Sequence, residues 1–248
     1  MANLYIVATP IGNLGDITLR ALETFRTVDI VACEDTRHTI KLLTHYGIKV
    51  KLLSCRSANE NSAAQRVIAA LDGGLNAAYA SDAGTPAISD PGARLARLAV
   101  CAGHQVIPVP GASAFASIIS VAGGLGKSVV FEGFLSPKAG RRKARLKELL
   151  SSESAFVLYE SPFRIIKLFE DLADLDSERS VCVGREMTKV HEEYLRASVG
   201  DVLKELSLRK EQLGEFTIFI SAKQRSDDVS RQCSDNPVDV CSIFAHNK

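Results

Sequence analysis

The chain has no tryptophan, only two methionines in 248 residues, and almost no net charge, with 30 Lys and Arg against 29 Asp and Glu. So neutral a molecule has no long-range field to gather a polyanion, and a nucleic-acid partner would have to meet a local basic patch. No apolar run approaches the roughly 18 residues of a membrane span. The opening MANLYIVATP has neither the basic start nor the long apolar stretch of a signal peptide. The six cysteines, at 33, 55, 101, 182, 233 and 241, form no Cys-x-x-Cys pair and no finger-like spacing to histidine, which argues against a metal site. Four of them fall in apolar or mixed runs and read as small core residues. A reducing cytoplasm is the expected setting. The P-loop pattern G-x-x-x-x-G-K-[ST] and the G-x-S-x-G elbow of serine hydrolases are also missing.

What is present is a globular composition, 46% apolar and 24% charged, in a chain long enough for two domains. Short apolar runs at Leu4–Ala8, Val28–Cys33, Lys49–Leu53, Leu75–Ala80 and Gln105–Pro108 read as strands. Between them lie helical patterns at Ile17–Phe25, Thr39–His45, Glu60–Leu71 and Ala93–Ala102. That alternation predicts a parallel α/β domain over residues 1–118. Gly123, Gly124 and Gly126 suggest a hinge, and residues 119–223 predict a second α/β domain with a mixed sheet. Its strands are expected at Val129–Phe134, Ala155–Tyr159, Ser180–Gly184 and Phe216–Ala222, and its helices at Ile165–Leu172 and Gly200–Leu208. Residues 224–248 are polar and aperiodic and are expected to form a flexible tail.

The strands end in unusual chemistry: Thr9-Pro10, Glu34-Asp35, Ser81-Asp82, Pro110 to Ser113, Tyr159-Glu160 and Arg185-Glu186. In an open α/β sheet, ligands sit beyond the carboxyl ends of the strands. Turns rich in Gly, Ser and Pro expose main-chain groups there. The stretch SDAGTPAISDPG at 81–92 has two readings: a ligand edge at Asp82–Thr85, and a helix start capped by Asp90 with Pro91 in the first turn. Gly12 and Gly15 after the first strand, with Glu34-Asp35 some twenty residues on, outline a dinucleotide site, but the G-x-G-x-x-G spacing is missing. Lys138, Arg141, Arg142 and Lys143 stand around Gly140 in what reads as a basic loop leading into a helix. Such a run is either a solvated helix face or a set of phosphate contacts.

Seven blocks carry a resemblance: VATPIGNLGDIT, ACEDTRHT, SDAGTPAISDPG, VIPVPGASA, YESPFRI, GREMTKVHEE and GEF, in that order between residues 3 and 222. Together they resemble the small-subunit ribosomal RNA 2′-O-methyltransferases, a branch of the tetrapyrrole (corrin/porphyrin) methylase superfamily. The tail does not share the resemblance. The resemblance implies two α/β domains of the tetrapyrrole-methylase type with S-adenosylmethionine in the cleft between them. It further implies methyl transfer to the ribose 2′-OH of a cytidine in the decoding region of 16S rRNA, by a homodimer acting on rRNA or the small ribosomal subunit rather than at a membrane. Donor contacts carry over to Pro10, Asp82, Thr85, Ser113, Ala114, Tyr159, Met187, Gly214 and Glu215. Lys189 and Glu192 are the candidates for a base or a cation beside the developing alkoxide, with an ion pair holding that loop as the alternative. Arg37, Lys138, Arg141, Arg142, Lys143 and Arg164 are the expected phosphate contacts. A small-tetrapyrrole methylase is the main rival function, and a nucleotide-binding module without activity a more distant one.

Overall fold

The computed structural model describes residues 2–56, 59–89, 92–123 and 128–223. The expected cap and helix start at Asp90-Pro91, most of the glycine hinge and the expected tail lie outside these residues.

Five strands form the first sheet: β1 (Asn3–Val7), β2 (Ile30–Cys33), β3 (Lys51–Ser54), β4 (Ala77–Ala80) and β5 (Gln105–Val109). Their order is β3-β2-β4-β1-β5, and every neighbouring pair is parallel. β2 and β4 are buried along their whole length, as strands covered on both faces must be. Helices α1 (Leu19–Thr27) and α2 (Thr36–His45) cover one face, with Phe25 and Leu43 packed on Val7 and Val31. Helices α3 (Glu60–Asp72) and α4 (Ala93–Cys101) cover the other, with Val67 and Leu95 packed on Leu4 and Tyr79. Thr18 starts α1 by accepting the Ala21 N–H at 3.0 Å. From β1 the chain runs outward through β2 to β3, then returns through β4 to β5. The loops leaving β1 and β4 therefore part to opposite faces of the sheet, and the crevice between them is where this architecture receives a ligand.

The second sheet is β6 (Val129–Phe134), β7 (Ala155–Glu160), β8 (Ser180–Arg185), β9 (Glu193–Ser198) and β10 (Phe216–Ile220), ordered β6-β7-β10-β8-β9. Only β6 and β7 pair in parallel; the remaining pairs are antiparallel. Helices α6 (Ala139–Ser151), α7 (Ile165–Asp176) and α8 (Val199–Ser207) pack one face around Phe156, Phe169 and Leu206. The other face receives α5 (Ala114–Ala122), whose Ile118 is buried against Val157, Cys182 and Phe219. This helix follows β5 directly, so it couples the two sheets. Neither α5 nor β9 is expected from the sequence pattern. Of the four described cysteines, Cys33, Cys55 and Cys182 are buried and Cys101 is exposed.

The basic loop is also different from expectation. α6 begins at Ala139, so Arg141, Arg142 and Lys143 lie in a helix. Arg142 is buried, and its Nε donates to Asp171 Oδ2 at 2.6 Å. A phosphate contact by Arg142 is thereby corrected to an internal ion pair joining α6 to α7. Lys143 is half-committed as well, to Asp174 at 2.8 Å and Asp171 at 3.3 Å.

Candidate active site

A cavity of about 360 Å³ lies where the carboxyl ends of the first sheet meet the second sheet. The first wall consists of Ile11 after β1, Ala83 to Thr85, Ile88 and Ser89 after β4, and Ser113-Ala114 after β5. The opposite wall consists of Phe134, Tyr159 to Pro162 and Glu215 to Thr217. Of the expected donor residues, Thr85, Ser113, Ala114, Tyr159 and Glu215 come together here.

The first wall is tied through its backbone. Thr9 and Gly84 exchange both N–H···O=C bonds, at 2.9 and 3.0 Å. The Thr9 hydroxyl donates to Ser81 O, and the Ser81 hydroxyl to Gly84 O. Thr85 Oγ1 donates to Ala112 O at 3.1 Å, drawing the β4 and β5 loops together. Gly84 has φ +78°, and a Cβ there would stand 3.3 Å from Ile11 Cγ2, so the turn demands a glycine. Ala87 holds φ +67° in the same loop without being a glycine, the kind of local strain that clusters at functional sites.

Pro10, Asp82, Met187 and Gly214 do not line the cavity. Pro10 is buried beside Ile11. Asp82 turns back to accept the Asp35 N–H at 2.9 Å, so it braces the end of β2 instead of facing a ligand. Met187 is a core residue packed over Gly184, whose added Cβ would meet its Sδ. Gly214, at φ +91°, lies against Glu186.

Around Met187 the chain is held by charge. Lys189 Nζ donates to Glu186 Oε1 at 2.9 Å and to Glu215 Oε2 at 3.1 Å. Partial burial alone would lower its pKa, but the two carboxylates more than offset that and raise it, keeping the ammonium charged. Glu186 feels the reciprocal effect: burial works against its charge, yet Lys189 and the Glu215 N–H hold its pKa below the ordinary value. Glu192 Oε1 accepts the Thr188 N–H and the Tyr194 hydroxyl, both at 2.8 Å. Burial first, and then that bond, push the Tyr194 hydroxyl up to about 12. Neither Lys189 nor Glu192 reaches the cavity wall; both fix the 186–194 turn, where Glu186 and Thr188 also hold positive φ. Gly12 fits beneath this turn so closely that a Cβ would stand 2.8 Å from Thr188 Oγ1.

Several wall residues have no counterpart among the expected ones. Phe134 is 57% exposed and meets Tyr159 edge-on, ring centroids 5.7 Å apart. Glu160 has a side chain only 1% exposed, paired with Arg164 Nη2 at 2.6 Å. The one signal for it in the sequence is a charged residue closing an apolar strand.

A parallel sheet with a ligand crevice at its switch point, closed by a mixed second sheet, defines an α/β protein built to hold a small ligand between its sheets. The comparisons make it specific. The family model for tetrapyrrole (corrin/porphyrin) methylases matches residues 3–203. A protein of Borrelia garinii subsp. bavariensis named ribosomal RNA small subunit methyltransferase I is 44% identical over 219 residues, 88% of this chain and 98% of its own length. Proteins of the same name from Neisseria meningitidis serogroup B and Thermotoga maritima are 44% and 42% identical, over 97% and 90% of this chain and 82% and 100% of their own lengths. Among solved structures, the uroporphyrin-III-C-methyltransferase of Thermus thermophilus aligns with TM-score 0.64 at 18% identity, over 89% of this chain and 94% of that one. A cobalt precorrin-4 methyltransferase aligns at 0.65 and 16%, over 88% and 94%. At such identities the structural likeness concerns the fold alone. The chain belongs to the tetrapyrrole methylase family, in the branch of the relatives named ribosomal RNA small subunit methyltransferase I.

Methyltransferases of this family use S-adenosylmethionine. The cavity suits such a donor: its volume falls in the range of small-molecule sites, and the turns at Gly84 and at Ser113-Ala114 line it opposite Tyr159.

Proposed function

We propose that this enzyme methylates the ribose 2′-OH of a cytidine in the decoding region of 16S rRNA, and that it works as a cytoplasmic homodimer with residues 1–118 and 119–223 as its two domains. S-adenosylmethionine supplies an electrophilic methyl group on a sulfonium. Thr85, Ser113, Ala114 and Tyr159 seat it. Pro10 and Asp82 support that seat from behind, and Met187, Gly214 and Glu215 hold the facing turn. Positioning accounts for most of the acceleration, because oxygen, methyl carbon and sulfur must align.

The observation that carries an RNA acceptor is the mouth of the cavity. Phe134 lines it and is exposed, and Phe163, 91% exposed, follows the lining residues Ser161 and Pro162. An exposed aromatic ring can stack an unpaired base. Lys138 and Arg141, just beyond β6, are exposed and their side chains make no hydrogen bond or ion pair among the described residues, which leaves both cations for phosphate. Arg164 and Arg37 are less available, since each already holds a carboxylate, at 2.6 and 2.7 Å. Lys189 is a positioning cation in this reading, and Glu192 a brace. The 44% identical relatives named for rRNA methylation support the same acceptor.

The test is methyl transfer from labelled donor to small ribosomal subunits, to naked rRNA and to a tetrapyrrole precursor. Label in rRNA at an alkali-resistant linkage at a cytidine is the expected result. Label on the tetrapyrrole alone would establish the rival reading, and no conversion of donor a binding module.

A further inference from the structure

β6 has one residue more than β7 can pair. Phe131 stands opposite Val157 and Gly133 opposite Leu158, so Glu132 is extruded as a β-bulge. Side chains alternate along a regular strand, which would put Phe131 and Phe134, three residues apart, on opposite faces of the sheet. The bulge absorbs the extra residue and returns both rings to one face. There each meets Tyr159 edge-on, with centroids 5.0 and 5.7 Å away. Phe131 also meets Phe115 of α5 at 5.1 Å. The aromatic row is thus closed by α5 at one end, and Phe134, in the cavity wall, is its open end. The bulge is held in two ways. Gly133 takes φ +70°, and a Cβ there would come no nearer than 3.5 Å to Ser89 Oγ, so the backbone conformation and not crowding calls for glycine. Glu132 is gripped by the Arg145 fork from α6, Nε donating to Oε1 and Nη2 to Oε2, each at 2.8 Å.

A ribose 2′-OH is one carbon away from the glycosidic carbon. Whichever nucleotide brings that oxygen to the cavity therefore brings its own base to the wall beside it. We infer that the Glu132–Gly133 bulge is a recognition device that turns Phe134 to the cavity, where its ring stacks on the base of the nucleotide receiving the methyl; this rests on the ribose 2′-OH reading above. Stacking needs a base free of its neighbours, so the device selects a nucleotide drawn out of its helix or loop over one that stays paired. Phe134 is the contact residue. Glu132, Gly133 and Arg145 are positioning residues, and set the ring without touching the acceptor.

The experiment compares wild type, Phe134→Leu, Phe134→Tyr, Arg145→Met and Arg145→Lys on small ribosomal subunits, with donor affinity read by calorimetry. Phe134→Leu keeps an apolar side chain but loses the ring, and its kcat/KM for subunits should fall on the order of tenfold or more, the scale of one lost base–aromatic stack. Its donor affinity should stay within about threefold of wild type, because the loss concerns the acceptor. Phe134→Tyr restores a ring and should recover most of the loss. Arg145→Met should lower kcat/KM by about threefold, as a half-exposed pair can contribute no more. Arg145→Lys keeps the charge without the fork and should fall between Arg145→Met and wild type. Phe134→Leu with wild-type kcat/KM overturns the inference, and so does a loss shared equally by Phe134→Tyr. A loss of donor affinity in its place would put the ring on the donor and overturn it as well. Arg145→Met indistinguishable from wild type overturns the positioning role of the bulge. Wild type that forms no ribose 2′-O-methyl overturns the reading beneath and this inference with it, whereas normal wild-type product with an unimpaired Phe134→Leu overturns this inference alone.

Discussion

The two walls of the cavity are built from different materials. The first is made of backbone: Thr9 and Gly84 bridge by main-chain bonds, and the hydroxyls of Thr9, Ser81 and Thr85 are spent on carbonyls. The second is lined by side chains, Phe134, Tyr159 and Thr217 among them, and is braced from outside the cavity by charge: Arg164 on Glu160, Lys189 between Glu186 and Glu215, and Glu193 held by Arg185 and Arg209. A backbone wall presents a fixed surface with little to titrate, which suits a donor that is the same in every turnover. Paired side chains fix the orientation of the turns that carry the second wall. On this view the first wall gives the methyl donor most of its seat, with Tyr159 completing it, and the rest of the second wall governs what receives the methyl.

The largest effect should separate two neighbours that look alike in sequence. Arg142→Ala leaves buried Asp171 to the more distant Lys143, at 3.3 Å, and should cost about 3–5 kcal/mol in denaturant unfolding. Arg141→Ala should leave stability unchanged and weaken subunit binding. Equal stability losses would erase the distinction between structural and surface cations. Next, Gly84→Ala forces a positive φ and a Cβ close to Ile11. It should cost about 1–2 kcal/mol and weaken donor binding in calorimetry, with subunit affinity unchanged. If subunit affinity falls instead, the walls have been given the wrong duties.

A pH titration probes the charge that braces the second wall from outside the cavity. The Arg209 pair, with help from Arg185, takes Glu193 from an ordinary 4.5 to about 2 despite partial burial. A depressed acid stabilises the fold above its unfolded pKa, and that stability is lost as pH falls from about 4.5 through about 2. Glu193→Gln should flatten this part of the acid-unfolding curve followed by circular dichroism, and an unchanged curve would contradict the assignment. Smaller still, Lys138→Ala with Arg141→Ala should reduce the slope of log affinity against log salt by roughly one to two units while donor affinity stays constant. Smallest is Arg37→Ala: Arg37 is 82% exposed and pairs with Asp35 next door, so melting temperature should not move.

Much of this was legible because apolar runs are short and end abruptly in polar blocks. The strand ends at Thr9, Ser81 and Ser113 could be aligned as one ligand edge before their order in the sheet was known. Helix α5 was missed because AFASIISVA is apolar nearly throughout, having the second sheet on one side and little polar surface to set a period. Strand β9, EYLRAS, is an edge strand whose partly exposed charges hide its alternation. Burial of Arg142 depends on Asp171, 29 residues away on another helix, and no local pattern encodes it. Asp82 has the composition of a ligand edge, but a backbone N–H of the neighbouring strand end claims its carboxylate. Glu160 shows the converse, since its charge at a strand end is buried and answered by Arg164 four residues on.

The division of labour between the walls is tested most directly by the crystal structure of the enzyme with S-adenosylhomocysteine. The account predicts the product against Thr85, Ser113 and Ala114, with Tyr159 on its other side. Product seated instead beside Lys189 and Gly12, outside the cavity, would contradict it.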